Sequence, residues 1–407
     1  MPVEFRHETL PNGLTIIAEV DPEAHSAASG FFVRTGARDE PSEVMGVSHF
    51  LEHMMFKGTA RRSAEDVNRE FDEIGANYNA YTSSEITCFH AQVLPERLGQ
   101  ANDILADILR PALRESDFDT EKGVILEEIA MYRDEPFWVL YERVVEERYN
   151  GAPLAHRVLG TNETVGAMTQ AQMRAYFEQR YSADNTVVAL AGKIDFEACV
   201  EQFAGLCKDW RATKPHRDTS APPPRAAEFV EESEQFTRAY WIMLAQAPAL
   251  EDDRRYAAAM LAHILGGPAN SRLHWALLET GLAEEAQAAY DPHDGCGDYF
   301  VYASCDPARA DEVRTVIDRE IEGLIETVSE QDLERLRNKS AAALTLAGER
   351  PGGRMQRIGR LWTYLHAHRT LEEELDAIMR VTLDDVRAVH EAFPFSPRCV
   401  GLLRPKA

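Results

Sequence analysis

The sequence has few cysteines and no paired arrangement of them. It contains six in 407 residues, and no two of them form a Cys-x-x-Cys pair. A disulfide scaffold or a cysteine-based zinc site requires a denser or paired pattern. We therefore expect buried thiols in a reducing compartment. The six are Cys88, Cys199, Cys207, Cys296, Cys305 and Cys399.

Long hydrophobic runs are also absent. No stretch approaches the roughly eighteen uninterrupted apolar residues that a membrane-spanning helix requires. The N-terminus, Met1–His7, does not form a basic segment followed by an apolar run, which a secretory signal would need. The sequence therefore predicts a cytoplasmic protein without a membrane span.

Positive charge is scarce relative to negative charge. The chain carries 43 Lys and Arg against 68 Asp and Glu, which gives a net charge of −25. This balance argues against a nucleic-acid partner, because phosphates bind to a basic surface. The acidity would attract cationic peptides, and it would equally serve to keep the protein in solution.

Length and composition predict two domains. A chain of 407 residues exceeds one ordinary domain, and 44% hydrophobic with 27% charged residues suits a globular protein. Four prolines interrupt all periodicity between 214 and 226, so we predict a linker there. It separates an N-terminal domain, 1–213, from a C-terminal domain, 227–407. Both halves mix strands and helices in a similar order, which favours two α+β domains of related architecture.

Hydrophobic periodicity and end signals predict the elements of both halves. Ser63, with Asp66 three residues later, is a helix N-cap signal. Extended segments are predicted at 13–20, 29–34, 79–93, 187–192, 240–244 and 299–305. Helices are predicted at about 43–57, 63–74, 96–110, 117–133, 195–207, 252–265, 309–327 and 330–346.

The most informative motif is His-x-x-Glu-His, formed by His49, Glu52 and His53. Residues four apart lie one turn above each other on a helix, so the two imidazoles point to the same side. Both can reach one divalent metal, and the neighbouring carboxylate can take a proton from a metal-bound water. The motif is the inverted form of the zinc-protease signature. A helical His pair without metal is the simpler alternative, which the motif alone does not exclude.

The surrounding segments carry a resemblance to a known family. With Gly36-Ala37-Arg38-Asp39-Glu40 before the motif and Asn79-Ala80-Tyr81-Thr82-Ser83 after it, the chain resembles the pitrilysin, or M16, family of zinc metallopeptidases. The similarity is greatest to the short-chain branch that includes bacterial processing-type peptidases and the mitochondrial processing peptidase. It is close over 8–195, moderate over 265–288 and weak elsewhere.

The resemblance implies a fold and an activity. The expected fold is α+β, with two structurally related domains, each a mostly antiparallel sheet with helices packed on one face, forming half of a clam-shell chamber. The expected activity is that of a zinc-dependent endopeptidase with one Zn²⁺ per chain, cleaving peptides or presequences. The alternative is a non-catalytic assembly or scaffold subunit of the same family. Such relatives typically lose zinc ligands, which this chain keeps.

The third metal ligand is expected to be a glutamate. The family supplies one a little over seventy residues after the second His, where Glu127 and Glu128 compete. The segment Val-Ile-Leu-Glu-Glu-Ile matches the family with the second Glu as ligand. Glu121 and Glu128 are seven apart and share a helix face, whereas Glu127 is turned about 100° away. We predict Glu128 as the ligand and Glu121 as a residue that orients the ligand or the water.

The resemblance also assigns the catalytic base and the peptide-binding strand. Glu52 is expected to remain free of the metal and to accept a proton from the water. Asn79, Ala80 and Tyr81 match the segment that lines the family's cleft, where an extended peptide can add to a sheet edge. An ordinary edge strand is the alternative for these three residues.

The C-terminal half departs from the family pattern. The family presents an Arg and, seven residues later, a Tyr towards the substrate, and these align with Leu277 and Glu284. Arg272 and Tyr290 could replace them only if the alignment were shifted. We therefore predict a heterodimer with a second M16-like chain that carries the Arg/Tyr pair, with a homodimer as the alternative.

Overall fold

The part of the chain that the computed structural model describes, residues 3–406, contains two β-sheets and fifteen α-helices. The strands are β1 Glu4–Thr9, β2 Thr15–Val20, β3 Ala27–Val33, β4 Asn77–Thr82, β5 Thr87–Val93, β6 Thr186–Gly192, β7 Ala227–Ser233, β8 Ala239–Ala247, β9 Glu285–His293, β10 Cys296–Cys305 and β11 Arg398–Pro405. The helices are α1 Val47–Met55, α2 Ala64–Glu73, α3 Leu98–Ile108, α4 Glu115–Tyr132, α5 Pro136–Tyr149, α6 Asn162–Ala167, α7 Gln170–Arg180, α8 Phe196–Leu206, α9 Arg255–Gly266, α10 Ala310–Glu322, α11 Leu324–Thr327, α12 Glu330–Gly348, α13 Pro351–Leu365, α14 Leu371–Arg380 and α15 Leu383–Ala392.

The described chain folds into two compact units that interleave along the sequence. The first contains the residues through Ile129, then His156–Asp218 and Thr345–Leu371. The second contains Ala130–Ala155, Thr219–Leu344 and the residues from Glu372 onward. The proline-rich linker predicted at 214–226 would divide the chain only once, and this domain boundary stays a prediction. Helix α5 precedes the predicted linker but belongs to the second unit, and α13 follows the linker but belongs to the first. The prediction did not include this exchange.

The first unit contains a six-stranded sheet in the order β1-β2-β6-β3-β5-β4. Its neighbours are antiparallel except for β2 and β6, which are parallel. Strand β4 pairs with β5 on one side and is the last strand of the sheet. One long edge of β4 therefore has main-chain groups that point away from the sheet.

Helices cover both faces of this sheet. On one face, Phe31 of β3 meets Phe203 of α8 edge to face, with ring centroids 5.6 Å apart. On the other face, Phe32 lies so close to Gly359 of α13 that a Cβ there would meet its ring at 2.2 Å. Helix α13 can approach the sheet at this distance only because residue 359 has no side chain.

The second unit contains a five-stranded sheet in the order β7-β11-β8-β10-β9, with β7 and β11 parallel and the other pairs antiparallel. Its larger core lies between this sheet and helices α9, α10 and α15, and includes Met243, Leu261 and Ile317. A smaller cluster places Leu140 and Val144 of α5 against the opposite face. Both units therefore combine a mostly antiparallel sheet with packed helices, as the resemblance implies, but the helices lie on both faces of each sheet rather than on the one face expected.

Most predicted elements occur within a few residues of their expected ends. The segment predicted as extended over 79–93 is a hairpin, β4 and β5, and the helix predicted over 309–327 is two helices, α10 and α11. Ser63 caps α2 as predicted, accepting a hydrogen bond from the Asp66 amide at 3.1 Å. All six cysteines are buried and none forms a disulfide. Within residues 3–406, no helix has the length and apolar character needed to cross a membrane.

Candidate metal centre

Helix α1 carries the histidine motif and is fixed at its N-terminus by a buried carboxylate. Glu40 accepts hydrogen bonds from the amides of Gly46 and Ser48, each at 2.7 Å. These amides have no partner within the helix, so the carboxylate satisfies them. Burial raises the pKa of Glu40 to about 8. Gly46 has a φ of 96°, which turns the chain into α1 and starts the helix at Val47 rather than near 43.

The apolar side of α1 is buried, which leaves the motif residues on the other side. Phe50, Leu51 and Met54 are at most 1% exposed. His49 and His53 are only partly buried, with side chains 12% and 26% exposed and ring centroids 4.7 Å apart. The helical spacing of four residues therefore brings the two imidazoles together, as the motif predicts.

Glu128 of α4 completes a group of three potential metal ligands. Its Oε2 lies 3.1 Å from His49 Nε2 and 3.7 Å from His53 Nε2. The hydrogen bond with His49 lowers the pKa of Glu128, so this carboxylate is held in its charged form. One ligand atom from each residue lies within 4.8 Å of the others. Tetrahedral zinc with bonds near 2.0 Å separates its ligands by about 3.3 Å, so the three residues fit a zinc ion.

The other two glutamates of α4 have different positions. Glu127 is exposed and is not part of the ligand group. Glu121 is buried, and its two oxygens have separate partners: Oε1 lies 2.9 Å from His53 Nδ1, and Oε2 lies 2.6 Å from Lys57 Nζ. Glu121 therefore lies on the Nδ1 side of the His53 ring and Glu128 on the Nε2 side. Both glutamates lie on one face of α4, as the seven-residue spacing predicts.

Glu52 lies beside the ligand group. Its Oε2 is 3.9 Å from His49 Nδ1, beyond hydrogen-bond range, and its side chain is 14% exposed. The hydroxyl of Thr82 donates a hydrogen bond to the same oxygen at 2.6 Å. The carboxylate is therefore near the ligands and held by a neighbouring strand.

The three residues predicted to bind substrate lie on β4, the edge strand of the first sheet. Asn79 is exposed, and its Oδ1 accepts a hydrogen bond from the Ala80 amide at 2.9 Å. The Tyr81 hydroxyl donates a hydrogen bond to Gln356 Oε1 of α13 at 2.9 Å. Strand β4 ends at Thr82, so its edge leads directly to the residue that contacts Glu52.

Three residues at this site were not identified from the sequence, namely Lys57, Thr82 and Gln356. Lys57 lies two residues after the end of the motif helix, and Thr82 belongs to the Asn79–Ser83 segment that carries the resemblance. Both are therefore in segments that the sequence singles out, although neither is assigned a role there. Gln356 lies 275 residues from its partner Tyr81, and no sequence pattern connects them. Its place at the site follows from the packing of α13 on the sheet.

In the second unit, the positions aligned with the family's Arg and Tyr have other roles. Leu277 is fully buried in the larger core, and Glu284 pairs with Arg238 at 2.6 Å. Arg272 donates to the carbonyl of Thr327 at 2.7 Å. Tyr290 donates to the carbonyl of Pro248 at 2.9 Å. Arg272 and Tyr290, which a shifted alignment would place at these positions, are therefore already hydrogen-bonded within the second unit.

Comparison with family models assigns both halves of the sequence. Residues 15–162 match the model described as Insulinase (Peptidase family M16), and residues 167–340 match the model described as Peptidase M16 inactive domain. The chain belongs to the M16 peptidase family. The first match contains all the motif and ligand residues described above, whereas the second contains Leu277 and Glu284.

Two relatives of this M16 chain are named as uncharacterized zinc proteases. One, from Streptomyces coelicolor, is 34% identical over 394 residues, which cover 94% of this chain and 86% of the relative. Another, YmxG from Bacillus subtilis, is 29% identical over 406 residues, covering 98% of each chain. The similarity therefore extends over both halves of the M16 chain.

Two solved structures share its fold. A protease from Helicobacter pylori superimposes with a TM-score of 0.94 at 18% identity, covering 99% of this chain and 100% of the other. A structure from Pseudomonas fluorescens, described as a peptidase M16 inactive domain, gives a TM-score of 0.90 at 16% identity, covering 100% and 98%. At these identities the comparison establishes the M16 fold alone.

Proposed function

We propose that this M16 chain is a zinc-dependent endopeptidase in which His49, His53 and Glu128 hold one Zn²⁺. The observation that carries the proposal is the convergence of these three ligand atoms within 4.8 Å, beside a separate carboxylate, Glu52. Three protein ligands leave a fourth position for water, which is the arrangement of a catalytic zinc site.

Glu52 is proposed to be the general base. Zinc in such a site lowers the pKa of its water towards neutrality and polarises a carbonyl group. Glu52 accepts the proton of the attacking water and passes it to the leaving amine. For both transfers the carboxylate must be free of the metal, and its position beside the ligand group and hydrogen-bonded to Thr82 is consistent with this role.

The β4 edge is the proposed docking site for the peptide. An extended peptide that pairs with Asn79, Ala80 and Tyr81 would use main-chain hydrogen bonds, which give affinity with little demand on side-chain sequence. Such a peptide would run along the strand that ends at Thr82, next to Glu52. Its scissile bond would in this way be brought to the base.

The second half of the site is proposed to come from another chain. Leu277 is buried and Glu284 is negatively charged, so neither can donate a hydrogen bond to a developing oxyanion. We infer a heterodimer with a second M16-like chain that carries the Arg/Tyr pair and completes a two-chain chamber. A homodimer of reduced activity is the alternative assembly.

Zinc analysis and peptide cleavage together test the proposed function. The purified chain should contain one zinc per molecule and cleave a quenched fluorescent peptide, alone or with its partner, and a chelator should abolish the cleavage. Glu52→Gln should retain zinc and lose activity, because it removes the base but no ligand. A chain that binds no zinc, or that binds zinc but cleaves no peptide with any M16-like partner, would instead support the non-catalytic assembly role.

A further inference from the structure

The bond between Thr82 and Glu52 joins two elements with separate proposed roles. Glu52 lies on α1, whereas Thr82 is the last residue of β4, 30 residues further along the chain. Their oxygens are 2.6 Å apart, which is short for a neutral hydroxyl and typical of a hydroxyl donating to a carboxylate. A bond of this length defines the position of one of the two Glu52 oxygens.

The hairpin fixes the position of the Thr82 hydroxyl. Thr82 pairs with Thr87 across the hairpin, and the turn between them is closed by a bond from the Ser83 amide to the Ile86 carbonyl at 2.9 Å. The Ser83 hydroxyl donates to the same carbonyl at 3.0 Å. A β-branched side chain such as threonine has few χ1 rotamers, so a rigid backbone leaves the hydroxyl little freedom.

We propose that Thr82 is a positioning residue for the catalytic base. Its hydroxyl holds Oε2 of Glu52 and thereby leaves the other oxygen to accept the proton of the attacking water. A base must lie within hydrogen-bond reach of the proton that it takes, so a carboxylate free to rotate would spend less time in a productive orientation. This inference rests on the proposed peptidase function.

Thr82 also connects β4, the proposed docking strand, to the catalytic base. A peptide that adds to the β4 edge would restrain the strand, and the restraint would reach Glu52 through the Thr82 hydroxyl. In this arrangement the Thr82 hydroxyl itself contacts the base and not the peptide. A change at Thr82 should accordingly lower the turnover number rather than the affinity for the peptide.

Two substitutions at Thr82 test the role of its hydroxyl. Thr82→Val keeps the branched shape and removes the donor, whereas Thr82→Ser keeps the donor. With a quenched fluorescent peptide, under conditions in which the zinc-loaded wild type turns over, we expect Thr82→Val to lower kcat by about 10- to 100-fold, the range for a hydrogen bond to a charged group. KM and zinc content should be unchanged, and Thr82→Ser should regain most of the lost kcat.

Thr87→Val is the matched control, because the Thr87 hydroxyl donates to the carbonyl of Thr35 at 3.0 Å. We expect this variant to lose stability and to keep its kcat. Peptide binding to Glu52→Gln, measured by fluorescence anisotropy, should be the same with and without Thr82→Val.

Each of three results would overturn the inference while leaving the peptidase function intact. They are a Thr82→Val enzyme with wild-type kcat, a Thr82→Ser enzyme as slow as Thr82→Val, and weaker peptide binding when Thr82→Val is added to Glu52→Gln. A wild type that binds zinc but cleaves no peptide with any partner would overturn the proposed function and this inference together.

Discussion

His53 uses its two ring nitrogens for two different carboxylates of one helix. Its Nδ1 lies 2.9 Å from Glu121, and its Nε2 lies 3.7 Å from Glu128. A carboxylate on one nitrogen of a histidine fixes the tautomer and the ring orientation that a metal on the other nitrogen requires. Lys57 in turn binds the second oxygen of Glu121 at 2.6 Å, so two side chains in series, Glu121 and Lys57, support the proposed ligand His53.

Removing the charge at Lys57 should weaken zinc binding without removing a ligand. In Lys57→Met the buried carboxylate of Glu121 loses its countercharge, and His53 loses a well-oriented acceptor. Residues that orient a metal ligand typically contribute about 10- to 100-fold in affinity, and we expect a loss towards the lower end. The measurement is the zinc dissociation constant by competition with a chromogenic chelator. Lys57→Arg, which keeps the charge, should bind zinc more tightly than Lys57→Met; equal affinity of Lys57→Met and wild type would contradict the prediction.

Glu127 and Glu128 are adjacent in the sequence, and only Glu128 should be required for zinc binding. Glu128→Ala removes the carboxylate that lies within reach of both histidines, so we expect loss of both zinc and activity. Glu127→Ala removes an exposed carboxylate of the same helix and should retain both, which makes it the matched control. Zinc content by atomic absorption after dialysis distinguishes the two. Full zinc occupancy in Glu128→Ala would show that another residue is the third ligand.

The isolated chain should be a slow peptidase even when it is saturated with zinc. Loss of a single preorganised donor to an oxyanion typically costs on the order of a hundredfold in kcat, and the second unit presents no donor at Leu277 or Glu284. Adding a chain that carries the Arg/Tyr pair should raise kcat and shift the species to a heterodimer. Turnover against added partner, with mass determined by light scattering, tests both expectations. Rapid turnover that no partner improves would refute the heterodimer.

Restoring the family's arginine within this chain should fail for a structural reason. Leu277 is 0% exposed in the core of the second unit, so Leu277→Arg would bury an unpaired charge. The cost of such a burial is several kcal/mol, which is comparable to the stability of a typical domain. We expect a large drop in unfolding temperature and no gain in activity. A stable and faster Leu277→Arg enzyme would show that this position can turn towards the substrate.

The stability of the zinc-free protein should depend on pH through Glu40. Burial raises the pKa of Glu40 to about 8 in the folded chain from an ordinary value of 4.5. A raised pKa means that the folded state binds the proton more tightly, so this contribution is fully present below pH 4.5 and is lost as the pH rises through 8. The contribution is about 5 kcal/mol when fully present and falls to about 1.4 kcal/mol at pH 7, one unit below the folded-state pKa.

Glu40→Gln tests this dependence, because a carboxamide cannot titrate. In the presence of a chelator, wild type should lose more stability between pH 5 and pH 8 than Glu40→Gln, as measured by denaturant unfolding at each pH. The neighbours Asp39 and Tyr176 are present in both proteins, so the difference in slope isolates Glu40. Glu40→Gln loses part of the α1 cap at every pH, and only the slopes are therefore compared. Parallel slopes would contradict the assignment.

The sequence by itself determined the local parts of this protein. The pairing of His49 with His53 follows from the repeat of one helix, and the face shared by Glu121 and Glu128 follows from the repeat of another. The cap at Ser63 and most strands are encoded in the same way, by residues within a few positions of each other. These features could be predicted because the interactions that create them join residues that are close together in the sequence.

Tertiary structure alone decided which of these local parts meet. The bonds from Thr82 to Glu52 and from Tyr81 to Gln356 join residues 30 and 275 positions apart. They depend on strand order and on the close approach of α13 to the first sheet at Gly359, which no local pattern contains. Packing within the second unit likewise buries Leu277 in its core. Such contacts arise from burying the faces of whole elements, so a pattern confined to one element cannot specify them.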